Sequence, residues 1–111
     1  MQAFRGVLAS SPMAAGQMLL ALDFHLGPVH EVAVIGEPRS DDVRAVLREL
    51  HRQFRPHIVV AAQSTAGRQA ETVVPLLADK RSMGSVTTYV CRDFACQAPV
   101  VGVEGAVKSL D

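Results

Sequence analysis

Apolar residues gather in three short runs, "HEVAVIG" (30–36), "HIVVAAQ" (57–63) and "TTYVC" (87–91), separated by longer mixed stretches. Each run is rich in β-branched residues and too short for a helix, which predicts a strand. The first two are almost continuously apolar, as parallel strands covered on both faces require. The third opens on two threonines and reads as an edge strand. Between the first two, "SDDVRAVLRELHRQF" (40–54) sets Val43, Val46, Leu47, Leu50 and Phe54 at helical spacing, with Arg44, Arg48, Glu49 and Arg52 on the opposite face. Ser40 predicts the N-cap, Asp41 and Asp42 suit the positive end of the helix dipole, and Pro56 ends the helix before the second strand. A second helix is expected between the second and third strands, with Ala70, Val73, Val74 and Leu77 as its stripe and a kink or break at Pro75. "SMGS" (82–85) predicts a loop, and Val103 to Leu110 a short terminal helix.

Strand, helix, strand, helix, strand is the pattern of parallel βαβ units with right-handed crossovers. The expected fold is therefore a small three-layer, Rossmann-like α/β domain over residues 30–111. It has three parallel strands, in the order 2-1-3 or, alternatively, 1-2-3. Residues 1–27 stand outside this pattern. "MAAGQMLLALDFHLG" (13–27) carries Met18, Leu19, Leu20, Leu22, Phe24 and Leu26 around much of a helical circumference. A helix apolar all round needs cover on more than one side. This N-terminal apolar helix predicts a chain that is part of something larger, or one that self-associates through residues 13–27.

Composition narrows the class. A chain of 111 residues suits one domain, and 49% hydrophobic with 20% charged residues is ordinary for a globular protein. The formal net charge is zero, so there is no clustered basic footprint for nucleic acid or an anionic membrane, and neither is expected as a partner. Arg5 is the sole basic residue before an N-terminal apolar stretch that Ser10, Ser11, Pro12 and Gly16 interrupt, which suits neither a secretory signal nor a membrane span. Two cysteines do not make a disulfide framework, and a reducing cytoplasm is the expected location, with a single bond left open.

Candidate chemistry is sparse. Cys91 and Cys96 are spaced CxxxxC, without the CxxC geometry at a helix start that poises a redox pair. Along an extended strand their Cα atoms would lie about 16 Å apart, beyond disulfide reach, although a turn through Arg92–Ala95 could close the gap. The simpler reading makes Cys91 a buried strand residue and Cys96 a small packed or half-exposed thiol. His25, His30, His51 and His57 have no metal-ligand spacing to the cysteines. In a parallel sheet His30 and His57 would also lie at the opposite edge from the cysteines, so neither metal nor cofactor is expected. Open α/β sheets bind ligands outside the carboxyl ends of their strands. Here those ends offer Gly36, Glu37 and Pro38, then Gln63, Ser64 and Thr65, then Arg92 and Asp93. "GEPRSDD" (36–42) lacks GxGxxG and a Walker lysine, and Glu37, Asp41 and Asp42 would repel phosphate. "QSTAGR" (63–68), with Gly67 before a helix, suits an anion held on free N–H groups. Gln63, Ser64, Thr65, Gly67, Arg92 and Asp93 are thus the candidate ligand site, with Cys91 and Cys96 the candidate redox pair. No Ser-His-Asp, Cys-His or paired-carboxylate arrangement is legible, so no catalytic residue is assigned.

Two stretches, "ALDFHLGPVHEVAVIG" (21–36) and "TTYVCRDFACQAPV" (87–100), together resemble the C-terminal region of the YyaL-type, thioredoxin-domain-containing proteins, a family that includes the spermatogenesis-associated protein 20 group. The resemblance implies a three-part parent: a thioredoxin-like domain, an α/α toroid similar to sugar epimerases and six-hairpin glycosidases, and a C-terminal α/β segment. By it, residues 1–27 correspond to the end of the toroid and 30–111 to the α/β segment. The CxxC motif and toroid acids of such proteins have no counterpart here, so their chemistry is not carried over. The expected function is a non-catalytic structural or interaction module, with the preceding toroid or a second copy as partner. The alternative is a small anion-binding or thiol-redox domain.

Overall fold

The computed structural model describes residues 2–65, 74–93 and 95–110. An N-terminal arm carries helices α1 (Arg5–Ser10) and α2 (Gly16–Leu26). Strands β1 (His30–Ile35) and β2 (Ile58–Gln63) then pair in parallel, from His30 opposite Ile58 to Ile35 opposite Gln63. Helix α3 (Asp41–Arg52) crosses between them. Its cap is the expected one, the Ser40 hydroxyl accepting from the Val43 N–H at 3.2 Å. Val43, Val46 and Leu50 are its buried stripe, and His51 and Arg52 occupy its last turn.

The three-parallel-strand expectation fails at β3 (Thr87–Arg92), which runs antiparallel to β1, with Ile35 opposite Thr87 and His30 opposite Arg92. Two further short strands, β4 (Ala95–Cys96) and β5 (Val100–Val101), both pair with the outer side of β3. The sheet is mixed, in the order β2-β1-β3-β4 with β5 also on β3, and it is not Rossmann-like. The physical reason lies where the chain re-enters the sheet. A parallel β3 needs a crossover that carries the chain back to the amino edge. Instead Leu77 packs with Ala33 and Ile35, and Val86 lies beside Gly36, all near the carboxyl end of β1. From there β3 can only run down the sheet. Gly36 serves the packing of α3: a Cβ there would stand 2.6 Å from Val43 Cγ2, whereas the Val86 Cα at 3.5 Å would be in ordinary contact.

The other half of that crossover, including Gly67, Ala70 and Val73, lies outside the described residues. Beyond it the chain makes a short 3-10 turn at Pro75–Leu77. Nor is β3 an edge, since β4 and β5 cover its outer side and Thr87 and Thr88 are fully buried. Helix α4 (Val103–Leu110) comes after Gly102, whose φ of 84° favours glycine.

Two clusters make the core. Val32, Val34, Val43, Val46, Leu50, Val86 and Ala106 fill the space between the sheet and helices α3 and α4. On the opposite face Ala33, Ile35 and Leu77 meet Ala61, Leu76 and Tyr89. Among the described residues, α3 and α4 cover the first face and Leu76 and Leu77 the second; most of the helix expected on that second face lies outside the described residues.

The N-terminal segment also departs from expectation. In place of one apolar helix it is an arm of short pieces: a 3-10 turn at Gln2–Phe4, then α1, a 3-10 turn at Pro12–Ala15 and α2. Pro12 sets the break, because it drives the preceding Ser11 (φ −145°, ψ 62°) out of the helical region. No residue of α1 or α2 is buried. The arm stretches the molecule to 53 × 30 × 24 Å with a radius of gyration of 16.8 Å. A compact domain of this length has about 13 Å.

Candidate functional site

Reversing β3 redistributes the candidate residues. Gln63, Ser64 and Thr65 lie at the carboxyl edge of β1 and β2, whereas Arg92 and Asp93 lie at the amino edge, where Arg92 pairs with His30. The two groups do not form one site. Gly67 lies outside the described residues.

At the carboxyl edge β1 and β2 end level, and the Gly36 N–H donates to the Gln63 carbonyl at 3.0 Å. A cavity of about 260 Å³ opens there, lined by Ile35, Gln63, Ser64, Thr65, Lys80, Arg81 and Ser82. Sequence reasoning missed the last three. Nothing local marks Lys80–Ser82 as neighbours of Ser64; antiparallel β3 brings them there. Tyr89 of β3 pins that loop, its phenol donating to the Arg81 carbonyl at 2.8 Å and accepting from the Arg81 N–H at 3.3 Å. The Lys80 ammonium lies 5.8 Å from the centre of the same ring.

The amino edge is where the arm joins the body. The His30 N–H donates to the His57 carbonyl at 2.9 Å. His57 Nε2 lies 2.9 Å from Asp23 Oδ2 of α2, and its ring stands 6.4 Å from that of Phe24. Gly27 is needed here, since a Cβ would stand 2.7 Å from His57 Nε2. A cavity of about 330 Å³ lies beside these residues, between β1, β2 and the end of α4. There Arg55 donates to the carbonyl of Leu110. Among the described residues no group of three or more His, Cys, Asp and Glu could hold a metal. The topological argument that set the histidines and cysteines at opposite edges does not survive, because Cys91 pairs with Glu31 beside His30.

Cys91 and Cys96 form a disulfide, which corrects the reading of two unlinked thiols. β3 and β4 are joined by a tight hairpin in which Arg92 faces Ala95 and Cys91 faces Cys96, with Cα atoms 3.9 Å apart. The Gln97 N–H donates to the Val90 carbonyl at 2.9 Å, so the cysteines occupy the adjacent, non-hydrogen-bonded pair. Asp93 takes a positive φ of 51°, a conformation aspartate tolerates in a tight turn. Cys91 is buried and Cys96 is exposed. Among the described residues no helix is long and apolar enough to cross a membrane.

These features define a class: a mixed-sheet α/β domain with an apolar helical arm at one edge, a polar cavity at the other, and a disulfide-closed hairpin. No protein-family model matches the chain, and no solved structure matches it. Among curated proteins it is distantly similar to human and rat spermatogenesis-associated protein 20, at 23% identity over 100 residues in each case. The match covers 88% of this chain but 13% of each relative, so the chain spans about one-eighth of the length of the curated relatives it matches.

Proposed function

We propose that the chain is a structural and interaction module of a larger protein, without a reaction of its own. Its N-terminal arm docks on a helical domain of the same polypeptide, and the resemblance to the thioredoxin-domain-containing proteins makes an α/α toroid the natural partner. The observation that carries this reading is the arm itself. Met13, Leu20 and Leu26 are exposed, Leu19 and Phe24 are half-exposed, and nothing in α1 or α2 is buried. Each such side chain gains about 1.5–3 kcal/mol when fully covered, so a free arm of this composition is far from its stable environment. The chain's match to about one-eighth of its relatives' length supports a partner surface within the same polypeptide.

The test is size-exclusion chromatography with light scattering, on the chain alone and mixed with the toroid supplied as a separate polypeptide. Alone, the chain should self-associate or bind a hydrophobic dye. With the toroid it should form a one-to-one complex that Leu20→Lys with Leu26→Lys abolishes. A monodisperse monomer that ignores the toroid, with amides of residues 16–26 protected from exchange, would overturn the reading.

A further inference from the structure

We propose that the carboxyl edge of β1 and β2 is a binding site for a small phosphate ester with an apolar body, a reading independent of how the arm docks. The two strands end level at Ile35 and Gln63. β1 leads into α3 on the first face, and Leu76 and Leu77 pack on the second. A crevice opens beyond these strand ends, at the edge where α/β sheets bind their ligands.

Here the crevice has two compartments with Gln63 and Ser64 as a shared wall. One is the cavity of about 260 Å³ bearing Thr65, Lys80, Arg81 and Ser82. The other, about 210 Å³, is lined by Val34, Pro38, Val43, Leu47 and Ala62 among others. The two cavities adjoin at Gln63 and Ser64, and the proposed ligand lies across those two residues. One compartment offers two cations and the Thr65 hydroxyl, the other an aliphatic wall. That pairing suits an amphiphilic anion.

Three further observations favour an anion. Among the described residues no carboxylate lies within ion-pair distance of Lys80 or Arg81. The loop that carries them is held from below by both hydrogen bonds of the Tyr89 hydroxyl and by the Ser82 hydroxyl, which donates to the Ser85 carbonyl at 2.9 Å. Little ordering is left for the ligand to impose. The acids that the sequence sets against phosphate stand elsewhere: Asp41 and Asp42 form the first turn of α3, and neither they nor Glu37 lines either compartment. A phosphate matches two cations better than a carboxylate does, having more charge and more acceptor oxygens.

The experiment is an NMR titration of the whole chain with inorganic phosphate, phenyl phosphate and phenol, ionic strength being held constant with chloride. Phenyl phosphate should saturate, shifting the amides of Thr65, Lys80, Arg81 and Ser82 and the methyls of Val43, Leu47 and Ala62. Inorganic phosphate should shift the first group only, at least tenfold more weakly. Lys80→Gln with Arg81→Gln should weaken phenyl phosphate at least tenfold while leaving the melting temperature nearly in place, since Arg81 is exposed, Lys80 is half-buried and neither belongs to the core clusters. Overturning results are non-saturating shifts spread over the basic residues, saturation by phenol alone, or unchanged affinity in the double variant.

Discussion

Reducing the Cys91–Cys96 bond should lower the stability of the α/β body by an amount that depends on its position. The bond closes a short loop, the two residues being five apart in sequence. Loop-closure entropy for so short a ring corresponds to about 2 kcal/mol at 25 °C. For a domain of this size each kcal/mol moves the melting temperature by about 4–8 °C, so reduction should lower it by roughly 10 °C. The loss should be local before it is global. The Gln97 N–H, held by the Val90 carbonyl at 2.9 Å, sits next to the bond and should exchange faster on reduction. Amides of β1, central in the sheet, should keep their order of protection. The assay is calorimetry with and without a phosphine reductant, thiols being counted on the same samples. Cys91→Ala with Cys96→Ala provides a reagent-free comparison. If the thiol count rises from none to two while the melting temperature moves by less than about 2 °C, the clamp contributes nothing and the reasoning is wrong.

Three further outcomes are expected. Val46→Ala removes two methyl groups from a side chain with 0% exposure between α3 and the sheet, and should cost about 2 kcal/mol, seen as a lower urea midpoint with unchanged slope. Thr88→Val should instead stabilise by about 1 kcal/mol, because the Thr88 hydroxyl is buried without a hydrogen-bond partner among the described residues and valine keeps its shape; a destabilised variant in thermal melts would show that the hydroxyl is satisfied. Gly27→Ala drives a Cβ against the His57 ring, which must leave Asp23. Limited proteolysis should then cut faster within residues 16–26 while the melting temperature of the body is unchanged.

Much of the local architecture is legible in the letters, because it depends on neighbours three and four residues away or on alternation along a strand. The periodicity of Val43, Val46 and Leu50, the Ser40 cap and the continuous apolar runs of β1 and β2 suffice to predict α3 and its two flanking strands. The terminal helix at Val103–Leu110 is legible for the same reason. The short strands β4 and β5 are not, since two residues carry no periodicity and acquire a ladder only by lying against β3.

Strand direction, disulfide partner and cavity membership belong to tertiary structure. Thr87–Arg92 has the same apolar pattern whichever way it runs; its direction follows from where the chain re-enters the sheet, with Val86 beside Gly36, far from it in sequence, at the carboxyl edge. That one choice brings Lys80, Arg81 and Ser82 to Gln63–Thr65 and carries Arg92 and Asp93 to the opposite edge. It also turns "CRDFAC" from an extended strand end into a hairpin whose cysteines face each other. Hydrophobic pattern determines which segments fold and which faces they bury. How those faces meet depends on contacts between segments, and a linear pattern does not record them.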